Sequence, residues 1–429
     1  MTPQARVAAA IDLVEAIALA ARRPADAVAN EYFRARRFIG SGDRRSVSDR
    51  AWHVLRARRR IGWWLERVGA EVTPRLAVAA SLLLEGWSLS GVEQMYAGGQ
   101  FGPAPLGDAE RVALAALEGR GLDWPEMGEA VRLEVPDWIF PRLAARFGDA
   151  LGAEMGAMAG PAPLDLRVNI LKATRTDAIS ALALEGIEAV ATPLSPWGLR
   201  VAGRRPVTTG AAFQSGLVEI QDEGSQLVAA LVGAAPGMRV ADWCAGAGGK
   251  TLALAMTMGN AGHIAACDVH SKRLDGAVAR LRRGGVHNVE RHLVAPGDKW
   301  AKRRAGTFDR VLVDAPCTGT GTWRRNPDAR SRLVERDLLE LVVKQADILD
   351  HAARLTRIGG WLVYATCSVL ADENEDQVTA FLGRHPEFAL KPLSEAWAGA
   401  PPCPDPYLSL TPLRHGTDGF FAAVLERSM

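Results

Sequence analysis

Phe308-Asp-Arg-Val-Leu-Val-Asp-Ala-Pro-Cys-Thr-Gly-Thr-Gly321 is the stretch whose reading decides the fold. Residues 311–313 are a continuous apolar run, β-branched at two of three positions, as a strand buried on both faces of a parallel sheet requires. The run stops on Asp314, and Ala-Pro-Cys-Thr-Gly-Thr-Gly cannot continue regular structure. In open α/β sheets, ligands gather beyond the carboxyl ends of the strands. The pattern therefore delivers a carboxylate, Asp314, and a thiol, Cys317, to the rim of an expected active site.

Outward from this strand, strands and helices alternate from about residue 236 onward. Arg239-Val-Ala-Asp-Trp243 reads as a strand, Cys244 to Lys250 as a small-residue turn, and 251–258 as a helix. A second strand, His263 to Cys267, ends on Asp268; a helix over 271–283 and a weaker strand near Val289 follow. The helix expected over 334–355 turns Val334, Leu338, Leu341, Val342, Ile348, Leu349, Ala352 and Leu355 inward, and Gly359-Gly360 is expected to end it. Strand 361–365 then runs into Thr366-Cys367-Ser368, and Gly419 to Leu425 is expected as an antiparallel strand at the sheet edge. This is a doubly wound α/β sheet, Rossmann-like, with a β-hairpin tail.

The turn Cys244-Ala245-Gly246-Ala247-Gly248-Gly249-Lys250 has no Cβ at three positions, so backbone can approach a ligand closely at a helix start. Asp268 closes the next strand about twenty residues on, where an acidic side chain binds the ribose hydroxyls of an adenosine cofactor. No arginine-rich phosphate cradle accompanies the pair. S-adenosylmethionine, which has no phosphate and carries a sulfonium, is therefore favoured over a dinucleotide. Cys317 and Cys367 both follow strand ends of this sheet, where a thiolate can serve as a nucleophile. Thr366, Ser368, Asp314 and Lys250 are the candidates to tune them.

Upstream, residues 1–135 have helical spacing throughout, with Val7, Ile11, Val14, Ala18 and Ala21 on one face and Ser46-Val-Ser-Asp49 as a capping box. Between Arg34 and Arg60 there are ten Arg, two Asp and no Lys or Glu, a local charge of +8 interleaved with or followed by Phe38, Trp52, Trp63 and Trp64. Such a run calls for a polyanion, and RNA or DNA is expected. Residues 136–232 read as a β-α-β-β module. A half-buried strand at 165–170 precedes a helix capped by Thr174 and Asp177, and short strands follow at 188–192, 198–201 and 217–221. This order fits a ferredoxin-like RNA-binding module. The third domain is expected over 233–429.

Composition is that of an ordinary globular chain, 48% hydrophobic and 23% charged, with a net charge of +2. Five cysteines, at 244, 267, 317, 367 and 403, include no C-x-x-C pair, which argues against structural zinc and suits a reducing cytoplasm. Residues 7–21 are interrupted by Asp12 and Glu15 and are no signal peptide, and no run of 18 apolar residues exists. A monomer without metal or membrane contact is expected.

Asp242-Trp-Cys-Ala-Gly-Ala-Gly-Gly-Lys250, Asp314-Ala-Pro-Cys-Thr-Gly-Thr-Gly321 and Tyr364-Ala-Thr-Cys-Ser368 resemble the signature motifs of RNA cytosine-5 methyltransferases of the Sun/RsmB type. The likeness extends to Gln221-Asp-Glu-Gly-Ser225, Arg325-Asn-Pro-Asp328 and Gly416-Thr-Asp-Gly-Phe-Phe421, covering roughly 130–429, and the helical start resembles a NusB-like RNA-binding domain. The resemblance implies that Cys367 attacks carbon 6 of a cytosine flipped from its stack. It implies that Cys317 assists release and that Asp314 holds the base at its N3 and amino edge. Residues 244–250, Asp268 and Asp314 would hold S-adenosylmethionine, with Asp298 as a third acidic contact. Similar motifs read Ala-Pro-Gly-Gly-Lys where this chain has Gly246-Ala-Gly-Gly-Lys250, a less rigid loop. Ribosomal RNA is the expected substrate. The alternatives are transfer RNA, DNA or another base as the methyl acceptor, or a catalytically idle RNA-binding factor.

Overall fold

The computed structural model describes every residue except Ala21, Arg22, Arg204 and Pro296, in two units: 1–160 with 323–334, and 161–322 with 335–429. Among the described residues, no helix is long and apolar enough to cross a membrane.

The first unit is helical. Its centre is the helix Pro74–Leu84, apolar all round and buried from Leu76 to Leu84, with Thr73 capping it. Pro3–Leu19 packs near it through Ala9, Ala10, Leu13, Val14 and Ile17. Of the face expected there, Val14 alone is buried; Val7 and Ile11 are half-buried, Ala18 is exposed, and Ala21 lies outside the described residues. One continuous helix, Ser41–Arg56, begins before Ser46, so no capping box forms at Ser46. Helices continue through Phe140–Phe147 and Leu151–Ala159, so the first strand starts well beyond residue 136.

The same unit takes in Trp323–Val334. The Asp328 carboxylate accepts the Ala25 N–H at 3.1 Å, Arg56 donates to the Arg324 carbonyl at 3.3 Å, and the Trp138 indole donates to the Leu333 carbonyl at 3.2 Å. Trp323 is fully buried.

Most of the arginine run is occupied within this unit. Arg60 pairs with Asp123 (2.8 Å) and with buried Glu134 (2.9 Å), Arg59 with Asp137 (2.8 Å), and Arg50 with Glu85 (2.8 Å). Arg36 lies over the Tyr32 ring. Arg34, Arg37, Arg45 and Arg58 are exposed, as is Phe38 at 78%. A polyanion is therefore not needed to balance the whole charge of +8.

The second unit holds two sheets. In the smaller, β1 (Leu164–Val168), β2 (Ala189–Ala191), β3 (Gly198–Val201) and β4 (Val218–Ile220) run antiparallel in the order β2-β3-β1-β4, which is ferredoxin-like. Thr174 and Asp177 form the expected capping box of helix Arg175–Leu184. β1 is buried on both faces, not one. Its buried polar side chains are paired, Asp165 with Arg200 at 2.7 Å, and Arg167 through one terminal nitrogen with Gln221 and with the Gly249 carbonyl at 2.8 Å, while Arg167 Nε has no partner.

The larger sheet contains β5 (Arg239–Asp242), β6 (His263–Asp268), β7 (Val289–Leu293), β8 (Phe308–Asp314), β9 (Thr356–Thr366), β10 (Phe388–Lys391), β11 (Leu408–Leu410) and β12 (Phe420–Arg427). The order is β10-β12-β9-β8-β5-β6-β7, parallel from β9 to β7, with β11 pairing β12. It is the Rossmann-like arrangement that the alternating pattern predicts. Two details differ. β12 lies inside the sheet because β10, a four-residue strand with no clear sequence signal, covers its outer side. Gly359-Gly360 do not terminate a helix. Phe308 pairs with Thr356 and Arg310 with Trp361, so the glycines form a bulge within β9.

Candidate active site

The order reversal between β5 and β8 opens a cleft of about 510 Å³ at the carboxyl ends of the strands. Each of four strand ends contributes functional groups. β5 gives Asp242 and the turn 244–250, β6 Asp268, β8 Asp314 and Cys317, and β9 Cys367. Helix Gly249–Thr257 starts on Gly248, which has φ of +79° and packs so closely that a Cβ would lie 3.1 Å from the Ala277 Cβ. Asp268 is buried and braces the turn: its oxygens accept the Gly246 N–H at 2.8 Å and the His270 N–H at 2.7 Å. Asp268 also lines the cleft, and each of its oxygens can accept a further hydrogen bond.

The Lys250 ammonium contacts Asp314 at 2.6 Å, so its charge serves that carboxylate and not a thiol. Cys317 and Cys367 stand Sγ to Sγ at 3.4 Å, both half-buried and both lining the cleft. The hydrogen bond to Cys367 and burial together hold the Cys317 thiol well above the ordinary cysteine range. Two sulfurs this close oppose carrying two negative charges at once.

The loops bearing the thiols are tied to each other. Thr320 Oγ1 and Ser368 Oγ lie 3.0 Å apart, Thr366 donates to Asn374 Oδ1 at 2.6 Å, and Asn374 donates to the Ser368 carbonyl at 3.0 Å. Thr366 and Ser368, expected as tuners of the thiols, thus hold the loops. The Gly321 N–H donates to the Cys367 carbonyl at 2.9 Å, and the Gly419 N–H to the Gly321 carbonyl at 2.8 Å. At that crossing a Cβ on Gly321 would lie 2.3 Å from the Gly419 oxygen. The Asp222 carboxylate accepts the Asp418 N–H at 3.1 Å, so three motifs distant in sequence meet in one place.

All the expected site residues line the cleft except Gly248, which backs the turn, and Asp298. The Asp298 carboxylate faces His292 and accepts the Trp300 N–H at 2.8 Å, closing its own loop. Burial pushes the Cys244 thiol up, and Cys267 and Cys403 are core residues.

Three contributors escaped the sequence reading. Asp242 lines the cleft but is buried, with Oδ2 accepting from Thr251 at 2.7 Å and Oδ1 without a hydrogen-bond partner. Burial, reinforced by Asp314 and Asp268, pushes its pKa up to about 7. Gln221, part of a quoted motif, lines the cleft and is held by buried Arg167. Glu373 is fully buried behind Cys317 but is embedded in the run Asp372-Glu-Asn-Glu-Asp376, which reads as a solvated face. An orphaned buried carboxylate oxygen and two further acidic groups suit a cationic adenosine cofactor, and Asp242, Asp268 and the 244–250 turn could hold it.

Residues 230–426 match the family described as 16S rRNA methyltransferase RsmB/F, and residues 135–208 match the RsmF/B-like ferredoxin-like domain. The chain is similar to the ribosomal RNA small subunit methyltransferase B of Xylella fastidiosa, 38% identical over 298 residues that cover 68% of this chain and 69% of that one. Its counterpart in Photorhabdus laumondii is 33% identical over 297 residues, covering 68% and 66%. The crystal structure of PH0851 aligns over 100% of this chain and 99% of its own at a TM-score of 0.79 and 26% identity.

Proposed function

Since the chain belongs to the 16S rRNA methyltransferase RsmB/F family, which is S-adenosylmethionine-dependent, we propose that it methylates carbon 5 of a cytosine in small-subunit ribosomal RNA through a covalent adduct on Cys367. The observation that carries this reading is the pair of thiols at 3.4 Å, on two strand ends, in the cleft that also holds Asp314. The cofactor, when bound, supplies an electrophilic methyl group.

Carbon 5 of cytosine is a poor nucleophile until something adds to carbon 6. The Cys367 thiolate forms that S–C bond, and the electron pair of the ring double bond becomes available at carbon 5 for the methyl group. A base then removes the carbon-5 proton. The C–H electron pair rebuilds the double bond, and Cys367 leaves with the S–C pair. Cys317, as S–H, is within reach to donate a hydrogen bond to the departing sulfur. Asp314, paired with Lys250, is an acceptor for the exocyclic amino group of the base. The base must leave its stack for carbon 6 to reach a sulfur within the cleft.

Bisulfite sequencing of ribosomal RNA from cells with and without the gene tests the proposal. One cytosine should lose protection in the deletion, and no change at any cytosine would sink the reading.

A further inference from the structure

Glu373 is a charged group that the reaction as written does not use. It follows β9, ahead of helix Glu375–Arg384, and none of its surface is exposed. Oε1 accepts the Thr318 N–H at 2.9 Å and the Gln345 amide at 3.0 Å, and Oε2 accepts the Thr318 hydroxyl. Gln345 also donates to the Pro316 carbonyl at 3.0 Å, so the peptides on both sides of Cys317 are pinned to this cluster. The Glu373 carbonyl accepts the Tyr364 hydroxyl at 2.6 Å.

Every one of these partners is neutral, and among the described residues no cation pairs with Glu373. A buried carboxylate normally stands beside a cation, because desolvation is otherwise uncompensated. Here three neutral donors support the charge and leave its field to act on the neighbouring loop. The thiol one residue before Thr318 is Cys317. A fixed negative charge beside it opposes a second one, and Glu373 contributes to raising this thiol. The other titratable groups around Cys317 are Tyr364 on β9, Cys367 just after it, Cys244 after β5, Lys250 committed to Asp314, and exposed Lys344 on helix Glu335–Ala353. None of them offers Cys317 a dedicated cation.

We infer that Glu373 is a positioning residue that assigns the two thiols their parts: its buried charge keeps Cys317 as a hydrogen-bond donor and leaves Cys367 as the sulfur that attacks. This rests on the two-thiol reading above and deepens it. The electron flow is unchanged. When the carbon-6 bond breaks, its pair returns to Cys367, whose developing charge meets an S–H and not a second thiolate.

Glu373→Gln isolates the charge. The amide oxygen can still accept from Thr318 N–H and Gln345, and the new NH2 can donate to the Thr318 hydroxyl, which turns to accept. The hydrogen bonds persist while the charge is removed. Thr318→Val does the reverse, cutting a hydrogen bond and keeping the charge. The experiment is alkylation by iodoacetamide across a pH series, with each thiol followed separately by peptide mass spectrometry in folded protein without RNA. In Glu373→Gln the Cys317 profile should move to lower pH by about one unit or more, and Thr318→Val should leave it in place. With RNA and cofactor, Glu373→Gln should lower kcat with KM for RNA unchanged. A Cys317 profile identical in wild type and Glu373→Gln, or the same shift in Thr318→Val, overturns the inference. Loss of cytosine methylation as such is read separately by the bisulfite test, so failure of the reading and failure of this inference look different.

Discussion

The sulfur atoms of Cys317 and Cys367 lie 3.4 Å apart although 50 residues separate them in the chain. Neither can act without the other sensing its charge. Removing each thiol in turn should therefore give opposite results. Cys367→Ala has nothing to add to carbon 6, so no covalent protein–RNA species forms and methylation stops. Cys317→Ala still attacks and methylates, but release slows and the adduct accumulates. A denaturing gel with RNA and S-adenosylmethionine should show a shifted band for Cys317→Ala alone. An adduct in Cys367→Ala instead would transfer the nucleophile to Cys317, the DNA-enzyme-like arrangement.

The cofactor affinity should depend on pH through Asp242. With its pKa at about 7 in the free protein against an ordinary 3.8, Asp242 is half protonated at neutral pH. A cation binds better to the ionised form, so affinity should rise with pH. Between pH 6 and pH 8 the gain for one group titrating at 7 is about tenfold. Calorimetry on wild type and Asp242→Asn checks this, and the variant should show a flat profile. The sign for stability is opposite. The folded state holds the proton more tightly than the unfolded one, so this group's contribution declines from about pH 4 to pH 7. Asp242→Asn should lack that decline.

Asp268→Ala should weaken S-adenosylmethionine binding tenfold or more, because hydrogen bonds to a charged group are each worth about 1.5–3 kcal/mol. Part of the effect reflects the turn itself, since the Gly246 and His270 N–H groups lose their acceptor. Unchanged affinity by calorimetry would remove Asp268 from the cofactor site.

Gly321→Ala tests the backbone crossing. A methyl group 2.3 Å from the Gly419 oxygen forces the two loops apart. A stability loss of about 1–3 kcal/mol is expected, with adduct formation falling as Cys367 is displaced. Denaturant unfolding with full stability retained would show that the loops yield without strain.

The arginines of the helical unit should separate into two classes. Replacing exposed Arg34, Arg37 and Arg45 by Gln should make log K against log[salt] shallower by about 0.7–0.9 for each phosphate that is no longer neutralised, without changing the melting temperature. Arg60→Gln should instead cost about 1–3 kcal/mol of stability, because buried Glu134 loses its ion pair. An unchanged salt slope in the triple variant would show that those three side chains face only water.

What could be read from the chain was whatever carried a local period or a local break. The strand over 308–314, the turn 244–250 and the thiols at strand ends are of that kind, because a buried parallel strand leaves an apolar run and its end leaves a polar residue. Asp242 opens a quoted motif but carried no role there, because only the packing of β6 and β8 against β5 makes this strand-end residue a buried, part-orphaned carboxylate. Glu373 was hidden by its acidic neighbours; only the packing of helix Glu335–Ala353 singles it out. The pairing within the arginine run was not legible, because Glu134 and Asp137, which pair with Arg60 and Arg59, lie more than 70 residues away. Counting charges in a window cannot see such partners.

Trp323 to Val334 belong by their packing to the helical unit, yet they follow directly on the loop that carries Cys317. The two halves of this chain are therefore interleaved and not strung end to end. A cut after Gly160 would strand a fully buried tryptophan and the acceptor of the Ala25 N–H, with no partner left to receive them. A recombination that exchanged the helical half at one junction would have to replace twelve residues in the middle of the catalytic half as well.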